Sequence, residues 1–341
     1  MVKLADVNAA NAALKSSLPS PTAVVVGGTN GIGRSFLTQL TKNTTSPKIY
    51  IVGRTQEQLT TIISELTTLN PAGTYIPITT PDLTLVANAH AAASQIASLE
   101  NSTGSTGKID ILYLSPGYLT FSPRVESPEG LDRVTAIRYY SRLRFVLDLL
   151  PLLERAPSPR VVCVLSGGQE GTIYPDDLAL REPAHTGAIA AAQAAATYIT
   201  LAFEHLARLH PKVGFVHTFP GIVRTQAFAR PEHLGWVARF LFGWVFFPVF
   251  GLFIGTGVEE AGKRTLYAAT SPEFAAVRGG VEGTVERGSD GERGSGAYTL
   301  GERSEAVQNQ KVMGPLREGG MAEKVWAFTV GEFERILGRE A

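Results

Sequence analysis

Ala23-Val24-Val25-Val26-Gly27-Gly28-Thr29-Asn30-Gly31-Ile32-Gly33-Arg34 is the stretch that decides the fold of this chain. A short run of β-branched residues precedes a glycine-rich turn, and a helical pattern follows over residues 35–41. Glycine lets the backbone turn tightly and approach a phosphate, while a helix N-terminus offers free N–H groups and a positive dipole end. The stretch therefore predicts a strand, a dinucleotide-binding loop and a helix. A plain strand-to-helix turn is the alternative.

Strand and helix patterns alternate along the rest of the chain, and this order predicts an α/β fold with a doubly wound parallel sheet. The further predicted strands are residues 48–52, 75–79, 109–114, 161–165 and 213–219. The further predicted helices are residues 57–69, 86–99, 129–153, 186–209, 259–267 and 321–337. We expect an N-terminal arm (1–18), a single domain (19–275) and a C-terminal extension (276–341) with a glycine-rich loop, a short hairpin at 297–300 and a helix.

Composition limits the classes of function. The chain has 31 basic and 31 acidic residues and no basic stripe interleaved with aromatics, which argues against a nucleic-acid partner. The single cysteine, Cys163, excludes an intrachain disulfide and suits a reducing compartment. The first 21 residues lack the pattern of a secretory signal, so we expect a cytoplasmic location. The six histidines are scattered without metal-ligand spacing, so no metal site is predicted.

The glycine spacing of the loop, Gly27-x-x-x-Gly31-x-Gly33, resembles that of the short-chain dehydrogenase/reductase family, with Val26 where the family usually has threonine. The resemblance covers about residues 19–275 and implies a Rossmann-type domain. It further implies that an Asp-Leu pair contacts the adenine, that a turn after the fourth strand lines the cofactor site, and that a Pro-Gly turn leads to a residue binding the nicotinamide end. The residues implied to bind the cofactor are Gly27, Gly28, Thr29, Asn30, Gly31, Ile32, Gly33, Arg34, Arg54, Asp82, Leu83, Ser115, Pro116, Gly117, Pro220, Gly221, Val223 and Thr225.

Two arginines indicate which cofactor is preferred. NAD-preferring proteins of this fold carry an acidic residue near the end of the second strand, where this chain has Gly53 and Arg54. Arg34 lies close by in the loop motif. Two guanidinium groups suit the 2′-phosphate of NADP(H), which is therefore the predicted cofactor. The alternative is that both arginines are solvated surface charges.

The usual proton relay of the family is absent from this sequence. The family protonates its substrate with a tyrosine whose pKa is lowered by a lysine four residues later, but the chain contains no Tyr-x-x-x-Lys and no lysine between Lys108 and Lys212. Matching the chain to the family's motifs leaves one of the four relay residues unchanged, the serine. The matched positions are Arg138, Ser166, Thr186 and Ala190.

Replacement acids are present nearby. Tyr174, His185, Tyr139 and Tyr140 are candidates, and Arg138 is a candidate stabiliser of a developing oxyanion. The alternative is that none of them is catalytic and that the tyrosines fill the core.

An uncharged, aromatic-rich segment spans residues 240–257. Its position matches the substrate-covering segment of the family, so we expect it to form a lid or pocket wall (234–257) over a hydrophobic small-molecule substrate. A membrane-surface or oligomer contact is the alternative, and Pro248 with the glycines at 243, 251 and 255 argues against a spanning helix. The alanine-rich helix at 186–209 suits close packing and, in this family, a homodimer interface.

Three functions remain open from the sequence. The first is an NADPH-dependent reductase acting on a carbonyl, enone or iminium group with a non-standard proton donor. The second is a non-redox enzyme for cyclisation or isomerisation on the same fold, and the third is a catalytically silent cofactor-binding or scaffold protein. The chain resembles family members common in filamentous fungi and associated with specialised metabolism, which is an analogy of fold.

Overall fold

A parallel β-sheet forms the centre of the computed structural model, which describes residues 1–102, 107–118, 124–185, 187–223, 256–276 and 285–338. Every strand pair in the sheet is parallel, and the strand order is β3-β2-β1-β4-β5-β6-β7. The strands are β1 (Thr22–Val26), β2 (Lys48–Gly53), β3 (Thr74–Thr79), β4 (Ile111–Leu114), β5 (Arg160–Val164), β6 (Gly214–Thr218) and β7 (Ala297–Leu300).

Helices cover both faces of the sheet, and each face has its own apolar cluster. The helices are α1 (Leu4–Ala12), α2 (Leu14–Ser17), α3 (Gly31–Asn43), α4 (Gln56–Leu69), α5 (Val86–Ser102), α6 (Arg133–Thr135), α7 (Ser141–Leu153), α8 (Ala188–Leu209), α9 (Val258–Thr270), α10 (Gln310–Glu318) and α11 (Met321–Leu337). A π-helical segment, Ala136–Tyr140, joins α6 to α7. The predicted doubly wound α/β fold is confirmed.

The central strands are largely apolar because both faces of the sheet are covered. All five residues of β1 are buried, as are all five of β5 and of β6. A strand that is buried on both faces reads as a continuous apolar run rather than an alternating one. This is why the central strands could be recognised in the sequence.

The hairpin predicted at 297–300 is wrong. These residues form β7, which is fully buried and pairs in parallel with Phe215–Thr218 at the edge of the sheet. One antiparallel bridge, Leu300 with Ala306, follows it. A strand of four residues whose partner lies about eighty positions earlier leaves no local signal, since only the tertiary fold supplies its ladder.

The predicted N-terminal arm contains α1 and α2 and packs on α9. Asn11 Nδ2 donates to the Lys263 carbonyl at 2.9 Å, and the Val2 N–H donates to the Arg303 carbonyl at 3.1 Å. The arm thus contacts segments from the distant C-terminal part of the chain. The boundaries assigned to the arm, the domain and the extension stay a prediction.

Candidate active site

The loop after β1 lies where the strand order changes direction, between β1 and β4. Gly27 has a φ of +88°, and a Cβ added there would lie 2.8 Å from the Pro116 nitrogen. A Cβ added at Gly33 would lie 2.3 Å from the Gly27 carbonyl oxygen and 2.7 Å from Ser115 Oγ. Glycine is therefore required at both positions. The loop is a tight cradle at the switch point of the sheet, where α/β folds bind nucleotides.

Helix α3 begins inside this cradle, at Gly31. Asn30, the preceding residue, is extended and its side chain caps no described N–H group. The first N–H groups of α3 are consequently available to an anion such as a pyrophosphate. The residues of the cradle fit a dinucleotide. Of the other predicted loop residues, Gly28 and Thr29 lie between β1 and α3, and Ile32 lies in the first turn of α3.

The two predicted phosphate-binding arginines come from different elements. Arg54 follows Gly53, where an added Cβ would lie 2.8 Å from Thr29 Cγ2 of the cradle loop. Arg34, in the first turn of α3, donates to Glu65 of α4, and the two side chains are 43% and 50% exposed. Arg54 directly follows β2 and is exposed, and no described residue accepts from its guanidinium group. An exposed ion pair such as Arg34–Glu65 contributes little stability. Both guanidinium groups are therefore accessible to an anionic ligand.

Asp82 and Leu83 follow β3, and both have partners within the protein. Asp82 accepts from the Thr84 N–H and hydroxyl at 2.8 and 2.7 Å, and it pairs with Arg133 at 2.6 Å. Burial opposes the charge of Asp82, but these hydrogen bonds and the Arg133 charge together lower its pKa. Leu83 is buried in the core. Their contact with an adenine stays a prediction.

A buried arginine, Arg142 of α7, ties together the ends of β4 and β5. Its Nη1 donates to the Val164 carbonyl at 2.8 Å and to Cys163 Sγ at 3.0 Å, and its Nη2 donates to the Pro116 carbonyl. Gly117, next along the turn after β4, is exposed. The guanidinium group thus contacts the turn of residues 115–117, which the family resemblance places at the cofactor site.

Arg138, the residue at the family's asparagine position, lies in the π-helical segment four residues before Arg142. Its Nη2 donates to the Tyr118 carbonyl at 3.0 Å. Burial and the charge of Arg142 lower the pKa of Arg138. No described carboxylate forms an ion pair with Arg138 or Arg142, so positive charge is concentrated near the carboxyl ends of β4 and β5. π-Helical turns occur frequently at functional sites.

Ser166 follows β5, and its backbone is fixed by β6. The Ser166 N–H donates to His217 Nε2 at 3.1 Å. A Cβ added at Gly167 would lie 2.1 Å from the His217 carbonyl oxygen, so the turn after β5 rests tightly against β6. Burial, together with the charge of Arg142, lowers the pKa of His217 to about 3. The ring of His217 is accordingly neutral near pH 7.

Tyr174 and His185, two of the predicted replacement acids, are brought together by the loop between β5 and α8. Their rings stack with centroids 3.5 Å apart and an interplanar angle of 13°. His185 Nδ1 lies 2.8 Å from Asp177 Oδ2. Burial opposes the charge of Asp177, but hydrogen bonds from the Arg181 and Glu182 backbone and from His185 lower its pKa. His185 is therefore an imidazole oriented by a carboxylate, a common arrangement in acid–base catalysis.

Tyr139 and Tyr140, also weighed as acids, belong to the core instead. Both rings are fully buried, and the Tyr139 hydroxyl is hydrogen-bonded to Thr329 of α11 at 2.7 Å. Burial raises the pKa of both tyrosines. A side chain enclosed in this way is a poor proton donor to a ligand.

The turn after β6 contains the predicted residues Pro220, Gly221 and Val223. Gly221 has a φ of +76°, and Val223 forms a parallel bridge with Thr256. Three sequence predictions lie outside the described residues. They concern Thr186 at the tyrosine position, Thr225 at the nicotinamide end, and the apolar segment 240–257 apart from its last two residues.

The sequence analysis did not identify several residues that lie near the carboxyl ends of the strands. Arg142 left one signal, because it is a charged residue four positions after Arg138 on a helix that is otherwise largely apolar. His217 is one of the six scattered histidines without metal-ligand spacing, and its position in the middle of an apolar strand is its one signal. Asp177 and Glu170 carry no motif. Their partners come from elements distant in the chain or from a loop without regular structure.

No helix in the described parts of the chain is long and apolar enough to cross a membrane. The same residues contain no group of three or more histidine, cysteine, aspartate and glutamate side chains placed to hold a metal ion.

Known proteins resemble this chain in sequence. The family described as short chain dehydrogenase matches residues 21–232. An oxidoreductase of Emericella nidulans is 36% identical over 99% of this chain and 100% of its own length. A short-chain dehydrogenase/reductase of Stachybotrys chartarum is 29% identical over 94% of each chain.

The fold also resembles solved structures. A short-chain dehydrogenase from Sphingobium yanoikuyae, solved in complex with NADPH, has a TM-score of 0.51 and 15% identity, covering 73% of this chain and 84% of that one. With the cradle at the switch point and the family match over most of the domain, this chain belongs to the short-chain dehydrogenase/reductase family of NAD(P)-dependent oxidoreductases.

Proposed function

We propose that this protein is an NADPH-dependent reductase of a hydrophobic small molecule with a carbonyl, enone or iminium group, and that a side chain other than the family's tyrosine supplies the proton. The observation that carries the proposal is the cradle formed by Gly27, Gly33, Ser115 and Pro116 at the switch point. It retains the close packing that a dinucleotide requires, although the Tyr-Lys pair is gone. A role in fungal specialised metabolism belongs to the proposal as well.

The preference for NADPH is argued from Arg34 and Arg54. No acidic residue follows β2 to bind a ribose 2′-hydroxyl, and Arg54 is exposed at that place. Arg34 can exchange its weak ion pair with Glu65 for a phosphate. Two guanidinium groups bind a 2′-phosphate through charge-assisted hydrogen bonds.

Comparative titration tests this preference. NADPH and NADH are titrated into the protein and binding is followed by cofactor fluorescence. We expect tighter binding of NADPH, and we expect Arg54→Asp to reverse the order. Arg208→Asp makes the same charge change at the C-terminal end of α8 and serves as the matched control. Equal affinities in the wild type would refute the arginine argument.

His185 is the proposed proton donor. When bound, the reduced nicotinamide would supply hydride for the electrophilic carbon of the substrate. Asp177 accepts from His185 Nδ1 and orients the ring, so that Nε2 of the imidazolium form can release a proton to the substrate oxygen. Arg138 stabilises the oxygen as charge develops on it. An iminium substrate accepts hydride without a proton and depends less on His185.

Turnover of an apolar dicarbonyl probe, phenanthrenequinone, tests the reaction through the loss of NADPH absorbance. His185→Gln is expected to lower kcat by about 10²-fold and to remove a limb of the pH profile, as loss of a general acid does. His90→Gln, on α5, is the matched control. If a panel of carbonyl, enone and iminium compounds shows no NADPH-dependent reduction, the reductase proposal fails. Conversion that is equal without cofactor would favour the non-redox reaction.

A hydrophobic substrate is proposed from the aromatic sequence of 240–257. Liposome flotation separates a pocket wall from a surface anchor. We expect no vesicle binding by the intact chain, whereas tight binding that is lost on Phe246→Asp would favour the anchor. The homodimer is likewise kept as a proposal, and light scattering of the intact chain measures it.

A further inference from the structure

Three buried polar side chains lie behind the Ser166 turn. They are His217 on β6, Thr200 on α8 and Glu170 on the loop after β5, and they are 1%, 2% and 5% exposed. They come from three separate elements and form a continuous chain of hydrogen bonds. Burying polar groups so completely is costly unless they are hydrogen-bonded, so these contacts constrain the arrangement of the three side chains. The second carboxyl oxygen, Glu170 Oε2, is buried without a hydrogen-bond partner among the described residues.

The donors and acceptors fix the direction of this chain of hydrogen bonds. The Ser166 N–H donates to His217 Nε2, so this nitrogen carries no proton and the neutral ring must be protonated at Nδ1. Nδ1 lies 2.9 Å from Thr200 Oγ1 and donates to it. The Thr200 hydroxyl in turn donates to Glu170 Oε1 at 2.7 Å.

Glu170 closes the network on the same turn. Its Oε1 also accepts from the Gly168 N–H at 3.0 Å. The backbone of the Ser166–Gly168 turn is therefore held at both ends, while the Ser166 hydroxyl makes no hydrogen bond to a described residue. The turn is fixed through its main chain, and its one functional hydroxyl is left available.

His217 and Glu170 do not form an ion pair. His217 Nδ1 and Glu170 Oε1 are 3.9 Å apart, which is too long for a hydrogen bond. Burial and the charge of Arg142 lower the pKa of His217 to about 3. Thr200 instead relays the contact between a neutral imidazole and the carboxyl group.

We infer that His217, Thr200 and Glu170 are positioning residues that hold the Ser166 turn in one geometry, with His217 locked in the tautomer protonated at Nδ1. The part played by Ser166 at the substrate rests on the proposed function. The site lacks the family's Tyr-Lys pair. A serine hydroxyl on a backbone turn that is fixed by hydrogen bonds is a polar group against which a substrate oxygen can be oriented.

The tautomer is measured directly by NMR on full-length protein labelled with ¹⁵N-histidine. Six histidines give a small set of ring signals, and the loss of one set in His217→Gln assigns that residue. We expect a neutral ring protonated at Nδ1 that does not change between about pH 5 and about pH 8. A ring protonated at Nε2, or a ring that titrates in this range, overturns the inference.

A pair of matched threonine variants separates positioning from general packing. Thr200→Val keeps the shape of the side chain but removes the hydroxyl that links His217 to Glu170. Thr197→Val, one turn earlier on α8, removes an equally buried hydroxyl that holds Gly171 of the same loop. Only Thr200→Val is expected to change the His217 signals.

Turnover of phenanthrenequinone with NADPH gives the functional readout. We expect Thr200→Val and His217→Leu to lower kcat by about tenfold or more with the NADPH dissociation constant unchanged, and His217→Gln to restore part of the loss because its amide can accept from Ser166. Equal losses in Thr200→Val and Thr197→Val, with the His217 signals intact, would contradict the inference. If the wild type reduces neither the probe nor any compound of the carbonyl, enone and iminium panel, the proposed function fails, whereas the tautomer and its dependence on Thr200 still test the network.

Discussion

At Gly33, the smallest side chain is already too large. A Cβ there would lie 2.3 Å from the Gly27 carbonyl oxygen, far inside van der Waals contact, and this nearest atom belongs to the backbone of the loop itself. Backbone cannot move aside as the end of a flexible side chain can. The first turn of α3 would therefore be displaced from the loop.

Gly33→Ala is expected to weaken NADPH binding by about tenfold or more, equivalent to about 1.4 kcal/mol. Fluorescence titration measures the change. Gly331→Ala is the control, because nothing lies within 4 Å of a Cβ at this position in α11. The control should leave binding unchanged and stabilise the helix by about 0.5–1 kcal/mol. Unchanged affinity in Gly33→Ala would show that the cradle does not hold the cofactor.

His217 makes stability depend on acid. Its pKa is about 3 in the folded chain, because burial and Arg142 disfavour the charged ring. In the unfolded chain the ring takes up a proton near its ordinary pKa of about 6.5. The unfolded state therefore binds more protons between these values, so the free energy of unfolding falls as the pH falls through this range.

Urea denaturation at a series of pH values measures this effect. His217 alone should contribute a slope of up to about 1.4 kcal/mol per pH unit on the acid side. His217→Gln should reduce this slope. Thr197→Val should lower the free energy of unfolding but leave its slope against pH unchanged. The same slope in wild type and His217→Gln would contradict a buried, neutral His217.

Among the elements, α11 shows how the C-terminal part of the chain completes the core. Phe333 is almost fully buried, meets Tyr140 edge to face with centroids 6.2 Å apart, and lies under the Arg144 guanidinium at 5.3 Å. Thr329 of the same helix is hydrogen-bonded to Tyr139. The helix thus packs against the π segment and α7 and encloses the rings of Tyr139 and Tyr140.

Phe333→Ala should destabilise the protein by about 3–5 kcal/mol, since it removes a large buried ring and leaves a cavity. Phe328→Ala, in the same helix but only half-buried, is the matched control and should cost less than about 2 kcal/mol. Urea denaturation measures both. Similar costs for the two variants would mean that α11 packs in another way.

At the scale of the whole molecule, one ion pair joins three distant segments. Arg317 of α10 donates to both carboxylate oxygens of Glu204 on α8, at 2.9 and 2.7 Å, and to the Ser289 carbonyl before β7 at 2.9 Å. Glu204 is buried, and the Ser289 hydroxyl also donates to it at 2.7 Å. The edge strand β7 is therefore attached to the body of the protein through charge as well as through its ladder.

Arg317→Ala is expected to cost about 3–5 kcal/mol, because it leaves Glu204 buried without its partner. Arg208→Ala breaks the exposed pair with Glu323 and should cost no more than about 1 kcal/mol. The free energy of unfolding of the two variants gives the comparison. A small loss in Arg317→Ala would show that the attachment of β7 does not depend on this pair.

The sequence by itself determined the α/β fold, the central strands and the dinucleotide loop. Each has a local cause in the sequence. A parallel strand that is covered on both faces is a continuous run of apolar residues. The spacing of Gly27, Gly31 and Gly33 indicates where the backbone of the loop must pass close to other backbone. The absence of Tyr-x-x-x-Lys was equally visible, since it is a statement about residues four positions apart.

Only the tertiary structure decided what surrounds that loop. The strand β7 depends on a ladder with β6, the arginines at 138 and 142 meet carbonyl groups of other elements, and His217 acquires its partners from α8 and from the loop after β5. Helix α11, about 190 positions further along the chain, buries the tyrosines at 139 and 140, so that they are poorly placed to donate a proton to a ligand. These roles follow from desolvation and from contacts between distant segments, which residue spacing along the chain does not encode.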